Sequence, residues 1–246
     1  MIDTQFSSKY HIYGYDTDNH CKATLTRLLS MMHETAWAHT NSLHVGWHDL
    51  QKFGQIWVIT KVKLTINNLP KWNDEVTVNT CAVGRSACIY HRNYEICDNQ
   101  NNLLVSAHSD WVILTQNGAL VRSNPDVEAA LLKTKDLTPA QPVAKLPRVN
   151  FSSELPLHQT LLSDLDMNNH VNNVSYIRWI IDSLPYNFYE SHPIQEICVN
   201  YTAQLRLGDK YVIAKQEIQE FEHLYTIYTE EGKEVCRLKM IFGNKK

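Results

Sequence analysis

Several things are missing from this 246-residue chain, and each absence narrows its class. Net charge is −3, so no basic field advertises a nucleic-acid surface. No apolar run approaches the ~20 residues that cross a bilayer. The opening Met1-Ile2-Asp3-Thr4-Gln5 has neither a charged n-region nor an apolar h-region, so no secretion signal is expected. The Arg-rich, acid-poor character of a transit peptide is missing too. None of the six cysteines (Cys21, Cys81, Cys88, Cys97, Cys198, Cys236) has C-x-x-C spacing. That argues against a zinc knuckle and predicts buried thiols in a reducing cytoplasm. The remainder is 43% apolar and 20% charged, a globular composition with enough length for one large domain or two ordinary ones.

The pattern reads as one unit written twice. A strand-like Tyr10–Tyr15 leads to Asp16-Thr17-Asp18-Asn19-His20. Leu25, Leu28, Leu29, Met32 and Ala36 then recur at helical spacing. Strand patterns follow near 55–66, 75–82, 86–97 and 103–115, with turns at Asn99–Asn102 and Asn117-Gly118. The second half repeats this order. A short strand near 157–162 precedes the Asp164–His170 loop, and a helix from about Val174 to Leu184 turns Val174, Ile177, Ile181 and Leu184 to one side. Strands are expected at 194–205, 210–218, 223–228 and 234–242. Two echoes support duplication: Asp16-x-Asp18-x-His20 against Asp164-x-Asp166-x-Asn168-x-His170, and Trp72-Asn73-Asp74 against Leu207-Gly208-Asp209. Pro125, Pro139, Pro142, Pro147 and Pro156 crowd between the halves and read as a linker. A strand, a helix and four more strands predict, in each half, an antiparallel sheet curved round a central helix.

The most informative stretch is Ser163–Pro185. Carboxylates, amides and an imidazole crowd just ahead of an amphipathic helix, whose start offers N–H groups and positive partial charge. Asn172 or Asn173 suits the N-cap, and Asp164 suits a turn. A calcium loop is excluded, because its sixth position is Asn169 rather than Gly and its twelfth is Ser175 rather than Glu. His44 and His48 are four apart but lack further metal ligands.

Ser163–Pro185, with its Asp166-x-Asn168-x-His170-Val171-Asn172-Asn173 core, resembles the signature of the acyl-acyl carrier protein thioesterases. This is the plant-type family with bacterial relatives. Trp57-Val58-Ile59-x-Lys61 and Pro70-x-Trp72-x-Asp74 are looser matches in the first half. The resemblance implies an α+β tandem hotdog: an N-terminal hotdog at 1–135 that binds the acyl chain, a linker at 136–153, and a catalytic hotdog at 154–246. It implies hydrolysis of fatty acyl-acyl carrier protein to free fatty acid within fatty acid biosynthesis, with no cofactor and no metal. The implied partner is an acidic acyl carrier protein docking on Lys133, Lys135, Lys145, Arg148 or Arg178. The protein itself is expected as a monomer or homodimer.

Carried over residue by residue, the implied site is Asp166, Asn168 and His170, completed by a position on the strand after the helix. The family normally has Glu there and often Cys next; this chain has Gln204 and Leu205. An amide cannot act as a general base near neutrality. On a continuous strand Glu196 would share a face with Gln204, but eight positions away it lies roughly 26 Å off. His170 is therefore the expected base, with Asp166 orienting it or holding water. Asn168 and backbone N–H groups near Asn172 would position the carbonyl, and Gln204 would orient water or the ring. The Leu25–Ala36 helix and the 55–66 strand, with Trp37, Trp47, Trp57, Trp111, Met31 and Met32, are candidate walls of an acyl tunnel. The alternatives are a catalytically weak acyl-carrier or lipid-binding protein, an acyl-CoA thioesterase, and a hydroxyacyl dehydratase, the last disfavoured for want of a carboxylate beyond Asp166.

Overall fold

A computed structural model describes residues 5–131 and 143–244. The chain divides into two compact units, Met1–Val143 and Ala144–Lys246. Pro139, Pro142, Lys133 and Lys135 lie outside the described residues.

The N-terminal unit contains β1 (Gln5–His11), α1 (Leu25–Ser42), α2 (Trp47–Gln51), β2 (Gln55–Ile66), β3 (Glu75–Ser86), β4 (Ile89–Asp98), β5 (Leu103–Thr115) and α3 (Pro125–Leu131). Its antiparallel strands run in the order β1-β3-β4-β5-β2. The C-terminal unit contains β6 (His158–Gln159), α4 (Asn173–Asp182), α5 (Tyr186–Ser191), β7 (Ile194–Tyr201), β8 (Lys210–Gln219), β9 (Glu222–Thr229) and β10 (Glu234–Phe242). Its order is β6-β8-β9-β10-β7, which is the N-terminal topology repeated.

Each long helix packs by an apolar stripe. In α1, Leu25, Leu28, Leu29, Met32 and Ala36 are buried, joined by Met31, Thr35 and His39. Thr24 caps it by accepting the Arg27 N–H at 3.3 Å. In α4, Val174 and Ile177 are buried as expected, but Ile181 is only partly covered and Leu184 falls beyond the helix. The buried side is set instead by Tyr176, Trp179 and Ile180; the Trp179 ring stacks on Tyr211 with centroids 4.0 Å apart.

Several boundaries differ from the sequence reading. β1 ends at His11, because residues 14–16 form a 3₁₀ turn pinned by Asp16. β7 stops at Tyr201, where Thr202 and Ala203 both donate to Val235 O and leave the ladder. Gln204 is therefore not a strand residue, and the face it was expected to share with Glu196 does not extend to it. Pro125 opens α3, where its missing N–H costs nothing, rather than marking a linker. His44 lies in a turn with φ +56° and His48 in α2, so the pair is not one helix face.

Candidate active site

Asp164 is the anchor of the C-terminal loop. It is 1% exposed and accepts from Leu161 N–H at 2.7 Å, from Trp179 Nε1 at 3.1 Å and from the Arg178 guanidinium. Its carbonyl receives Asn172 N–H at 2.8 Å and the Ser175 hydroxyl at 3.2 Å. Asp164 thus ties the loop to α4, in keeping with a turn-holding role. Arg178, a candidate for carrier docking, is committed to this carboxylate.

From that anchor Asp166 builds the next turn. Its Oδ1 accepts from the backbone N–H of Asn168 at 2.8 Å and of His170 at 3.3 Å, and its own N–H reaches His170 O at 2.8 Å. Asn169 closes the turn in the left-handed region, φ +58°, which Asn tolerates better than most residues. Asn168 is exposed and His170 half-buried at the loop's outer end. Val171 N–H then donates to Leu205 O at 2.8 Å, and Leu205 N–H donates to the Tyr176 hydroxyl at 3.1 Å. These bonds set residues 170–171 beside residues 204–205. The exposed Gln204 thereby adjoins the His170 loop, held by Tyr176, which sequence reasoning missed because its hydroxyl acts across 29 residues of chain.

The helix start offers less than expected. The N–H groups of Asn172, Val174 and Ser175 are taken by Asp164 O, Asn172 Oδ1 and Asn172 O. Asn172 is the N-cap, and these three N–H groups are already paired within the loop and the first turn of the helix.

The N-terminal unit builds the same loop with different chemistry. Asp16 is buried and ion-paired to Arg27 Nε at 3.0 Å. Asp18 Oδ1 accepts from His20 and Lys22 N–H at 2.8 and 3.0 Å, and Ala23 N–H donates to Pro70 O at 2.8 Å. Turn Lys71–Asp74 matches Arg206–Asp209: Asp74 and Asp209 each accept the N–H three residues back at 2.8 Å. By these bonds Asp18 corresponds to Asp166 and His20 to Asn168, while Lys22 stands where His170 does. The two histidines of the sequence echo are thus not equivalent. An imidazole occupies the end of this loop in the C-terminal unit alone.

The N-terminal unit holds a small cleft, partly open to solvent. Ala36, Trp37 and Thr40 of α1 line it with Trp57, Ala82, Tyr90, His91, Arg92, Trp111 and Leu131. It draws on α1 and β2, and includes three of the four tryptophans named from sequence. Trp47 lies outside it on α2, and Met31 and Met32 are core.

Two matching units, each a helix laid on a five-stranded antiparallel sheet, define a tandem hotdog protein. The acyl-ACP thioesterase N-terminal domain matches residues 3–129 and the acyl-ACP thioesterase C-terminal domain matches residues 150–244, so the chain belongs to the acyl-ACP thioesterase family. It is 25% identical over 94% of its length to a chloroplastic palmitoyl-acyl carrier protein thioesterase of Gossypium hirsutum, covering 62% of that protein. It is 28% identical over 78% of its length to a chloroplastic acyl-carrier-protein hydrolase of Cuphea viscosissima, covering 50% of it. The chain thus spans about half to three-fifths of these curated relatives. Among solved structures, an acyl-ACP thioesterase from Bacteroides thetaiotaomicron superposes with a TM-score of 0.85 at 21% identity, covering 98% of each chain. The 12:0-ACP thioesterase from Umbellularia californica gives 0.87 at 19%, covering 100% of this chain and 99% of its own. These likenesses establish the fold.

Proposed function

We propose that the protein hydrolyses the thioester of a fatty acyl group on acyl carrier protein and releases free fatty acid. The observation that carries this reading is the meeting of the His170 loop with the Gln204 segment, within a domain matched by the family's C-terminal model. Water is the nucleophile. His170 takes its proton as the oxygen bonds to the acyl carbon. The Asn168 amide donates to the carbonyl oxygen as negative charge gathers there. The tetrahedral intermediate collapses, the C–S bond breaks, and the thiol leaves with the proton returned by His170. Asp166 acts as a positioning residue, because Oδ1 fixes the backbone on which Asn168 and His170 are carried. Gln204 orients the water or the ring by hydrogen bonding.

The acyl chain is assigned to the N-terminal cleft beside α1, whose Trp37, Trp57 and Trp111 offer apolar walls. Lys145 and Arg148 are the docking cations we retain for the acidic carrier protein. We place the protein in a reducing compartment such as the cytoplasm: no disulfide joins the described cysteines, although only Cys97, Cys198 and Cys236 are buried as expected, Cys81 and Cys88 being half-buried and Cys21 exposed. No described helix is long and apolar enough to cross a membrane.

Gln204 favours one further reading, a carrier-binding protein with weak turnover. Steady-state assays with acyl-carrier and acyl-CoA substrates of varied length, run alongside Gln204→Glu, separate the two. Turnover by the natural chain that His170→Ala abolishes supports the hydrolase. Binding of acyl-carrier protein without turnover, with hydrolysis appearing only in Gln204→Glu, supports the binding protein.

A further inference from the structure

Away from the His170 loop, β4 and β5 carry a buried cluster that takes no part in the proposed proton transfers, although its His91 also lines the N-terminal cleft. His91 and Asp110 face each other as cross-strand partners, and His108 lies two positions before Asp110 on the same sheet face. They are 6%, 1% and 7% exposed. His91 Nδ1 and His108 Nε2 converge on one atom, Asp110 Oδ1, at 2.8 and 3.2 Å. One ligating atom from each residue lies within 4.8 Å of the others.

The surroundings orient this set. His91 Nε2 meets Ser86 Oγ at 2.7 Å, and His108 Nδ1 meets Asn93 Oδ1 at 2.7 Å. Each imidazole thus has its outer nitrogen held by a neutral oxygen while its inner nitrogen points at the carboxylate. That is how metal-binding histidines are aimed by their supporting hydrogen bonds. Asn93 Oδ1 can only accept, so the His108 proton sits on Nδ1. His108 Nε2, His91 Nδ1 and Asp110 Oδ1 are then the three atoms that a shared cation would join. Lys61 Nζ approaches the other oxygen, Oδ2, at 3.9 Å and donates to Val143 O at 2.8 Å, which leaves Oδ1 for a metal.

The backbone is shaped here as well. β3 and β2 both bulge beside the cluster, at Val83 between Ala82 and Gly84 and at Thr60 between Ile59 and Lys61. Gly84 takes φ +129°, a conformation that disfavours any side chain, and pairs directly with His91; Lys61 pairs directly with Asp110. Bulges of this kind re-aim side chains next to sites.

We propose that His91, His108 and Asp110 bind one divalent first-row metal ion on the sheet of the N-terminal unit. Two imidazoles and a carboxylate with a position left open suit Zn²⁺ or Fe²⁺. Sequence spacing concealed the set, because His91 joins His108-x-Asp110 only through strand register.

The test is equilibrium dialysis of the full chain against Zn²⁺ with metal quantified, followed by X-ray absorption of the loaded protein. The expected result is one Zn²⁺ per chain with a nitrogen and oxygen shell at about 2.0–2.2 Å and no sulfur. Asp110→Asn lowers affinity at least 100-fold. Ser86→Ala, which changes only an exposed hairpin residue and so keeps the fold, lowers it roughly 10-fold by releasing His91. Three results would overturn the proposal: no stoichiometric zinc, a thiolate shell, or affinity unchanged in both variants. A doubly protonated His108 in a chain that takes up no metal would assign the cluster to a plain ion pair instead.

Discussion

His170 is the residue on which the proposed chemistry turns. General-base catalysis contributes about 10²–10⁴ in rate. His170→Ala should therefore lower kcat by at least 100-fold with an unchanged circular dichroism spectrum. Gln204→Glu places a carboxylate beside the His170 loop, and stopped turnover assays should show kcat rising; a fall would mean that the amide itself is needed. Asp164 belongs to the scaffold. Asp164→Ala removes three acceptor contacts and frees Arg178, but that guanidinium side chain is 40% exposed and regains water. The expected loss is about 2 kcal/mol by urea unfolding, less than the 3–5 kcal/mol of a wholly buried pair. These residues were readable to different degrees. Asp166, Asn168 and His170 stand within one short motif. Gln204 was found by likeness to the family and then placed on a strand that ends three residues earlier, at Tyr201. Strand propensity continues through Thr202, but Val235 O captures two successive N–H groups and ends the ladder there.

Helices and turns carry the next set of expectations. Leu28 of α1 is fully buried, so Leu28→Ala should cost about 3 kcal/mol. His33, on the same helix and edge-on to Trp111 at 5.9 Å, is pushed down to about 4 by burial. Its native state holds the neutral ring, whereas the unfolded chain binds a proton below about 6.5. Stability from this group is therefore complete above pH 6.5 and falls as pH drops toward 4. Thermal melts across that window should flatten in His33→Gln. Asn169 is the turn-setting residue at φ +58°. Asn169→Val should cost about 1–2 kcal/mol and lower kcat by moving His170, whereas Asn169→Gly should preserve both. The long strands and helices were legible because period-2 and period-3.6 patterns persist in them. The short α2, α3 and α5 were not, since one or two turns leave too little periodicity to stand out.

At the scale of the chain, duplication explains why the two loops look alike and behave differently. The order of elements repeats, and so do the bonds Asp18–His20, Asp18–Lys22 and Ala23–Pro70 as Asp166–Asn168, Asp166–His170 and Val171–Leu205. One copy of the loop ends in Lys22 and the other in His170. The N-terminal unit has instead an aromatic cleft and the buried His91–His108–Asp110 cluster. The doubled topology was visible in sequence, because pattern order survives divergence. The correspondence of individual residues was not, since His20 and His170 look alike in the text yet occupy different turns of the loop. Transplanting the imidazole by Lys22→His should leave turnover of a His170→Ala chain unrestored, because Leu69 rather than a polar amide precedes Pro70, the residue that answers to Leu205.

The most direct measurement is steady-state release of free fatty acid from a series of acyl-acyl carrier proteins by the natural chain and by His170→Ala. The account predicts turnover by the natural chain and a loss of at least 100-fold in kcat for the folded variant. Equal turnover by the two proteins would contradict it.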